Sequence, residues 1–139
     1  AKRLTTIPLK LRAGPRVVAL HMGYNMLQRI DNNFFRMPVL RELNLDQNEL
    51  EEIVAEFRYL TTLEILSMKN NKIAHISYHF CALTNIRELS LSHNKLTVLP
   101  SFFGNFCKIS HLWLSNNNIT SLPTDDRVKL LEFDPVTGK

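Results

Sequence analysis

The chain has 139 residues, of which 45% are hydrophobic and 22% charged, a composition typical of one folded domain rather than a disordered chain. No apolar run approaches the ~18 residues of a membrane-spanning helix, and no secretory leader pattern begins the sequence, so no membrane association is expected. The formal net charge is +4, but six cations precede the first acidic residue, Asp31, so the rest of the chain carries −2.

Residues 1–16 are predicted to form a partial N-terminal repeat. The stretch Lys2-x-Leu4-x-x-Ile7-Pro8 keeps the register of the pattern that follows, but the strand that would precede it is absent. We expect either that the chain is a fragment or that a nonstandard cap covers the first strand, because the ends of a stacked array need polar covers. The basic residues here are interpreted as a solvated edge, since no aromatic residues alternate with them as in a nucleic-acid groove.

Residues 17–123 carry five copies of a 23-residue repeat. Each copy fits the pattern Leu-x-x-Leu-x-Leu-x-x-Asn-x-Leu, with other aliphatic residues or methionine in place of some leucines. The asparagines recur without a slip in register, at Asn25, Asn48, Asn71, Asn94 and Asn117. This regularity predicts a solenoid, because one repeat alone could not bury its own hydrophobic side chains.

Each repeat divides into two parts with different spacing. The x-x-Leu-x-Leu-x segment alternates with a period of two, which predicts a short strand in a parallel sheet on the concave side. After the asparagine the spacing lengthens and Pro8, Pro100 and Pro123 appear, which predicts irregular or short helical backbone on the convex side. Four phenylalanines at equivalent positions are predicted to stack into a spine: Phe34, Phe57, Phe80 and Phe103.

The repeated asparagines are predicted to have a structural role. A carboxamide offers an acceptor and two donors, so it can satisfy backbone groups where each strand bends inward. A ladder of asparagine side chains along the solenoid should result.

Residues 124–139 are predicted to form a C-terminal cap and tail. The register requires apolar residues at Asp126 and Lys129, but both are charged. A short helix could begin at Thr124 or Asp125, whose side chains can accept bonds from free backbone N–H groups.

These motifs resemble the leucine-rich-repeat family over residues 2–123. The form Leu-Ser-x-Asn-x-Leu-x-x-Leu-Pro, from Leu91 to Pro100 and nearly from Leu114 to Pro123, is similar to the intracellular repeats of Ras-binding and scribble-type scaffold proteins. The resemblance implies an α/β solenoid, a curved right-handed stack with a parallel sheet inside and short turns outside. It also implies protein binding in intracellular signalling, although repeat families share one architecture across unrelated functions.

The sequence lacks the usual signatures of an active site. No Gly-rich phosphate loop, His-Glu-x-x-His pattern or Cys-x-x-Cys pair occurs, so no enzymatic activity, small-molecule substrate, cofactor or metal is predicted. His21, His93 and His111 fall in different columns or distant repeats, which argues against a shared metal site. Cys81 and Cys107 are too few for a secreted disulfide framework and favour a cytoplasmic setting; they are predicted to be buried thiols, with a disulfide as the alternative.

The candidate binding site is the set of strand residues that point away from the buried leucines. Its middle carries mixed charge and its ends carry aromatic residues. Trp113 is the predicted anchor, since an exposed tryptophan is typical of binding hot spots; the alternative is that it packs on His111 or on the cap. The predicted partner-binding residues are His21, Tyr24, Arg41, Glu42, Asn44, Ile65, Lys69, Arg87, Glu88, His93, His111 and Trp113.

The predicted function is an interaction scaffold that binds a partner protein through the concave face. The alternative is a regulatory or targeting module from a larger multidomain protein, an enzyme or a secreted effector, whose activity lies outside this chain. The full-length reading frame would distinguish the two. A third reading, binding of nucleic acid or lipid by the basic N-terminal residues, predicts strongly salt-dependent association and is not favoured.

Overall fold

The computed structural model describes residues 4–7, 16–106 and 108–120. The predicted cap at 124–139, Pro8, Pro123 and Cys107 lie outside these residues. Seven strands lie within them: β1 (Ala19–His21), β2 (Glu42–Asn44), β3 (Glu52–Ile53), β4 (Ile65–Ser67), β5 (His75–Ile76), β6 (Glu88–Ser90) and β7 (His111–Trp113). The repeat and cap boundaries given above stay predictions.

The main sheet has five parallel strands in the order β1-β2-β4-β6-β7. Neighbouring strands pair in a register of 23 residues, so that Leu43 lies beside Leu66 and Leu66 beside Leu89. These three leucines are at most 1% exposed because alternate strand residues point to opposite faces and this face packs on the core. The predicted parallel sheet is confirmed.

The five asparagines connect neighbouring repeats through their side chains. Each Oδ1 accepts a bond of 2.8–3.1 Å from a backbone N–H that lies 21 residues earlier. Each Nδ2 donates to the carbonyl three residues earlier in its own repeat, at 2.9–3.1 Å. From Asn48 onward, Nδ2 also donates to a carbonyl of the preceding repeat, 26 residues earlier, at 2.9–3.0 Å. One carboxamide thus satisfies donors and acceptors that the solenoid would otherwise bury unpaired.

The residue before each of these asparagines has left-handed backbone, with φ between 55° and 60°: Tyr24, Gln47, Asn70, His93 and Asn116. This conformation is uncommon for residues other than glycine. The N–H groups of the first four donate to carbonyls of the next repeat at 2.8–3.0 Å. At these four residues a backbone bond to the next repeat holds the bend, whatever the preference of the residue itself.

The outer segments contain short 3-10 helices in place of α-helices. Within the described residues these are Asn32–Phe35, Ala55–Tyr59, Tyr78–Ala82 and Ser101–Asn105. Pro100 precedes the last of them, where a missing N–H is tolerated. The predicted short helical turns are confirmed, and a small parallel pair, β3 with β5, adds backbone pairing that the sequence did not indicate.

The predicted phenylalanine spine is correct at its centre only. Phe57 and Phe80 contact each other edge to face, with ring centroids 6.2 Å apart. Toward both ends, an additional phenylalanine lies between the members of the spine. The ring contacts run in the order Phe34, Phe35, Phe57, Phe80, Phe106 and Phe103. The rings therefore form a zigzag of edge-to-face contacts, the arrangement favoured by the ring quadrupole.

Cys81 is a free thiol and is half-buried, so the prediction of a fully buried thiol is wrong at this position. It packs against the outside of the hydrophobic core, one residue after the buried Phe80.

Among the residues that the structure describes, no helix has the length and apolar character needed to cross a membrane.

Candidate concave binding face

The concave face is built from two rows of residues that run across the five strands. One row follows the register Ala19, Glu42, Ile65, Glu88 and His111, which we call the central row. The other follows His21, Asn44, Ser67, Ser90 and Trp113, which we call the second row. Both point away from the leucine row between them, because side chains alternate along a strand. The sequence spacing therefore placed these candidates correctly on one face.

At the β1 edge, the two rows are joined by a hydrogen bond. Nε2 of His21 lies 2.8 Å from Oε1 of Glu42, and the two side chains are 63% and 41% exposed. An exposed pair of this kind contributes little to folding stability. It does hold the Glu42 carboxylate toward β1 and away from Ile65.

At the β7 edge, His111 contacts both Glu88 and Trp113. Its Nδ1 lies 3.7 Å from Oε1 of Glu88 and 3.0 Å from Oγ of Ser110. Its ring stacks on the indole with centroids 5.3 Å apart and an interplanar angle of 12°. The stack arises because His111 and Trp113 are two residues apart on one strand, so their side chains share a face.

Trp113 is half-buried, so the expected exposed indole is only partly correct. The packing alternative identified from the sequence accounts for part of its burial through the stack on His111. Any contact with residues 124–139 lies outside the described chain. Strand spacing gave the face on which Trp113 lies but could not give its side-chain rotamer.

Arg87 forms its ion pair with a residue that sequence reasoning left out of the site. Its Nε lies 3.7 Å from Oε1 of Glu64, in the preceding repeat. Glu64 lies 23 positions before Arg87, so the two residues occupy the same position in neighbouring repeats. This spacing was the sequence signal that could have predicted their ion pair. Arg87 is therefore paired with a carboxylate of the neighbouring repeat.

Asp46 is a second residue that the predicted site omitted. Its Oδ1 accepts bonds from Oγ of Ser67 at 2.6 Å and from the backbone N–H of Lys69 at 2.8 Å. Asn44, which was predicted, accepts from the N–H of Asp46 through Oδ1 and donates to Asp46 Oδ2. These bonds fix the middle of the second row before any partner arrives.

Ser90 is an unexpected buried residue on this face. It is 3% exposed, and its hydroxyl has no hydrogen-bond partner among the described residues. Its partners in the register are Ser67 on one side and Trp113 on the other. A large indole beside a buried serine indicates that this end of the face is closely packed.

The rim of the face carries exposed side chains. Tyr24 is 73% exposed, and His93 is exposed with its Nε2 3.1 Å from Nδ2 of Asn116. Arg41 and Lys69 are also exposed, and in the described part of the chain neither side chain forms an ion pair. The structure thus brings most predicted residues onto one surface, but among the described residues no side-chain hydrogen bond or ion pair joins Tyr24, Arg41 or Lys69 to the others.

The described residues contain no group of three potential metal ligands among His, Cys, Asp and Glu. The three histidines of the face occupy three different positions of the repeat. His21 lies beside Glu42, His111 beside Glu88 and His93 beside Asn116. What the surface offers is charge, hydrogen bonding and a partly exposed aromatic pair.

The sequence is similar to two family models, both of leucine-rich repeats. One, described as leucine-rich repeats in two copies, matches residues 84–126, and the other, described as leucine-rich repeat, matches residues 54–96. A comparison with curated protein sequences found no match.

The fold is similar to that of a solved leucine-rich-repeat protein of Leptospira interrogans. The two share 26% sequence identity with a TM-score of 0.81, over 85% of this chain. This chain spans 30% of the length of that protein. Solved structures match widely, with 172 matching chains, so the shape alone does not select a partner.

Proposed function

Because this chain belongs to the leucine-rich-repeat family, whose repeats generally mediate protein–protein interaction, we propose that it is a scaffold that binds a partner protein through its concave face. The family is typically non-enzymatic, and the proposal includes no catalytic step, cofactor or small-molecule substrate. An intracellular location and a scribble-type subclass are part of the same proposal, which extends the resemblance seen in the repeats.

The observation that carries the proposal is the stacked pair of Trp113 and His111 at the β7 edge. The indole is held at a fixed angle by the imidazole and still keeps part of its surface open. A rigid aromatic group binds with little loss of side-chain entropy, which is why tryptophan dominates many interfaces. The preset hydrogen bonds of Asp46 similarly reduce the ordering cost of association.

The size of the face limits the partner element that fits on it. Five strands spaced by about 4.8 Å, each three residues long, give a sheet of roughly 240 Å². This is below the ~800 Å² per partner of a standard interface. One helix or extended segment would fill the face, and a larger partner would also contact the rim residues Tyr24, Arg41 and Lys69.

Replacing Trp113 with alanine is expected to weaken partner binding by about 2 kcal/mol, roughly thirtyfold in Kd, because hot-spot truncations have this size. The fold should survive, since Trp113 is only half-buried. The measurement is affinity capture on the immobilised chain, followed by titration of the captured protein against the wild-type and Trp113→Ala chains. Circular dichroism would report whether the variant is folded.

Tyr59→Ala provides a matched control, because Tyr59 is 56% exposed and lies on an outer 3-10 helix instead of the sheet. We expect this variant to bind the partner like the wild type. Equal affinity of the Trp113→Ala and wild-type chains would remove Trp113 from the site. Loss of fold in Trp113→Ala would assign the indole to packing.

A further inference from the structure

The middle of the central row has an arrangement of its own. Ile65, on the central strand, lies between Glu42 on one neighbouring strand and Glu88 on the other. Ile65 is half-buried, so part of its aliphatic side chain is open on the face. The row therefore presents an apolar position with a carboxylate on each side.

Each carboxylate lies beside a histidine of an edge strand, on the side away from Ile65. Glu42 bonds His21 at 2.8 Å, and Glu88 lies 3.7 Å from His111, on opposite sides of Ile65. The glutamate side chains are 41% and 38% exposed, so both remain accessible to a partner.

The other charges of the face are occupied or lie at its rim. Glu64 is paired with Arg87, and Asp46 accepts its bonds from Ser67 and Lys69. Arg41 and Lys69 are exposed cations without an ion pair in the described chain; Arg41 directly precedes Glu42, and Lys69 lies beyond the second row. The central row itself carries two carboxylates and no lysine or arginine.

The spacing of the central row matches one face of an α-helix. Strands two apart in a sheet are separated by about 10 Å, which sets the distance between the backbones of Glu42 and Glu88. Seven residues of α-helix rise about 10.5 Å, and residues i, i+4 and i+7 lie on one side. An extended segment fits less well. Its same-face residues are spaced by about 6.7 Å, so three of them span about 13 Å, more than the separation of the Glu42 and Glu88 backbones.

We propose that the concave face receives a basic amphipathic helix of the partner, lying across the strands. Its cationic side chains at i and i+7 pair with Glu42 and Glu88, and its aliphatic side chain at i+4 packs on Ile65. This assignment rests on the proposed function, since it names the chemistry of the partner at the same face. It also runs against the net charge of the chain, which is +4 and would by itself attract an acidic partner.

The test uses helical peptides stabilised by a side-chain staple and free of tryptophan and tyrosine. One peptide carries lysine at i and i+7 with leucine at i+4; a second has glutamate in place of both lysines; a third has serine in place of leucine. Trp113 is the single tryptophan of the chain and lies on the strand beside Glu88, so its fluorescence reports binding. Anisotropy of fluorescein-labelled peptides gives an independent readout.

The lysine–leucine peptide is expected to bind the wild-type chain more tightly than either of the other two. The double variant Glu42→Lys with Glu88→Lys should weaken it about tenfold or more, since both attractive charge pairs become repulsive. The same variant should bind the glutamate peptide better than the wild type does. The matched control is Glu51→Lys with Glu52→Lys, an equal change in net charge at exposed residues outside the concave face, which should leave the affinity for the lysine–leucine peptide within about twofold of the wild-type value.

Several results would overturn the assignment. These are tighter wild-type binding of the glutamate peptide, equal effects of the two double variants, or no measurable binding of any peptide. If the lysine variant does not fold, Glu42→Gln with Glu88→Gln removes the charges with little change in shape and should weaken the lysine–leucine peptide as well. If the peptides fail while Trp113→Ala still weakens binding of a captured partner protein, the scaffold function stands and only the charge assignment is wrong.

Discussion

Replacing Phe57 with alanine is expected to lower the free energy of unfolding by about 3–5 kcal/mol, the usual cost of emptying a large aromatic site in a core. Phe57 is fully buried, and its ring contacts Phe35 at 5.1 Å and Phe80 at 6.2 Å. It therefore joins three repeats through one side chain. Because each repeat packs only on its neighbours, a cavity here would weaken the solenoid at its middle.

The measurement is urea denaturation followed by circular dichroism and, separately, by Trp113 fluorescence. Coincident transitions would indicate that the repeats unfold together, and separate ones that the cavity uncouples the two ends. Phe57→Leu, which refills most of the volume, should cost only about 1–1.5 kcal/mol. A Phe57→Ala loss no larger than the Phe57→Leu loss would contradict the importance of the ring zigzag.

Replacing Asn71 with alanine is expected to cost about 2–3 kcal/mol, because buried backbone groups lose their partner. The N–H of Leu50 would lose its acceptor at 3.1 Å, and the carbonyls of Leu45 and Met68 would lose a donor at 3.0 and 3.1 Å. Asn71 itself is only 8% exposed, so water could not easily take its place. The variant should melt at a clearly lower temperature than the wild type.

Asn118→Ala is the control for this experiment. Asn118 is exposed and its backbone N–H bonds Leu96, whereas no side-chain bond of Asn118 occurs within the described residues. Its melting temperature should stay within experimental error of the wild type. An unchanged melting temperature for Asn71→Ala would mean that the buried bonds of the asparagine contribute nothing to stability.

The sheet and its facing residues could be predicted from the sequence because they depend on spacing alone. A 23-residue period places Leu43, Leu66 and Leu89 in one buried row, and alternation then places Glu42 and Glu88 on the opposite face. The 3-10 turns followed in outline from the longer spacing after each asparagine and from Pro100.

Spacing could not give the features that depend on side-chain rotamers and on departures from the repeat. Phe35 and Phe106 interrupt the spine because they are additional rings outside the spine position. The stack of Trp113 on His111 is a rotamer choice, so the sequence overstated the exposure of the indole. Similarly, the pairing of Arg87 with Glu64 depends on which of two neighbouring carboxylates its side chain reaches.

Left-handed backbone before the asparagines was also beyond sequence reasoning. Asn70, His93 and Asn116 are residue types that tolerate this conformation, but Tyr24 and Gln47 do not favour it. Bonds to the next repeat impose it at Tyr24 and Gln47 as well. Local preference is overridden wherever the neighbouring repeat supplies the partner.

The asparagine bonds reach only 21 or 26 residues back along the chain, so no repeat depends directly on a distant one. Excising residues 49–71 would place Ile73 where Leu50 now lies. The Oδ1 of Asn94 would still accept a hydrogen bond from the backbone N–H of Ile73. Duplication or loss of one 23-residue repeat during recombination of the gene would widen or narrow the sheet by about 5 Å. The asparagine bonds between the remaining repeats would be unchanged. The width of the concave face can therefore change in evolution independently of the charged residues on it.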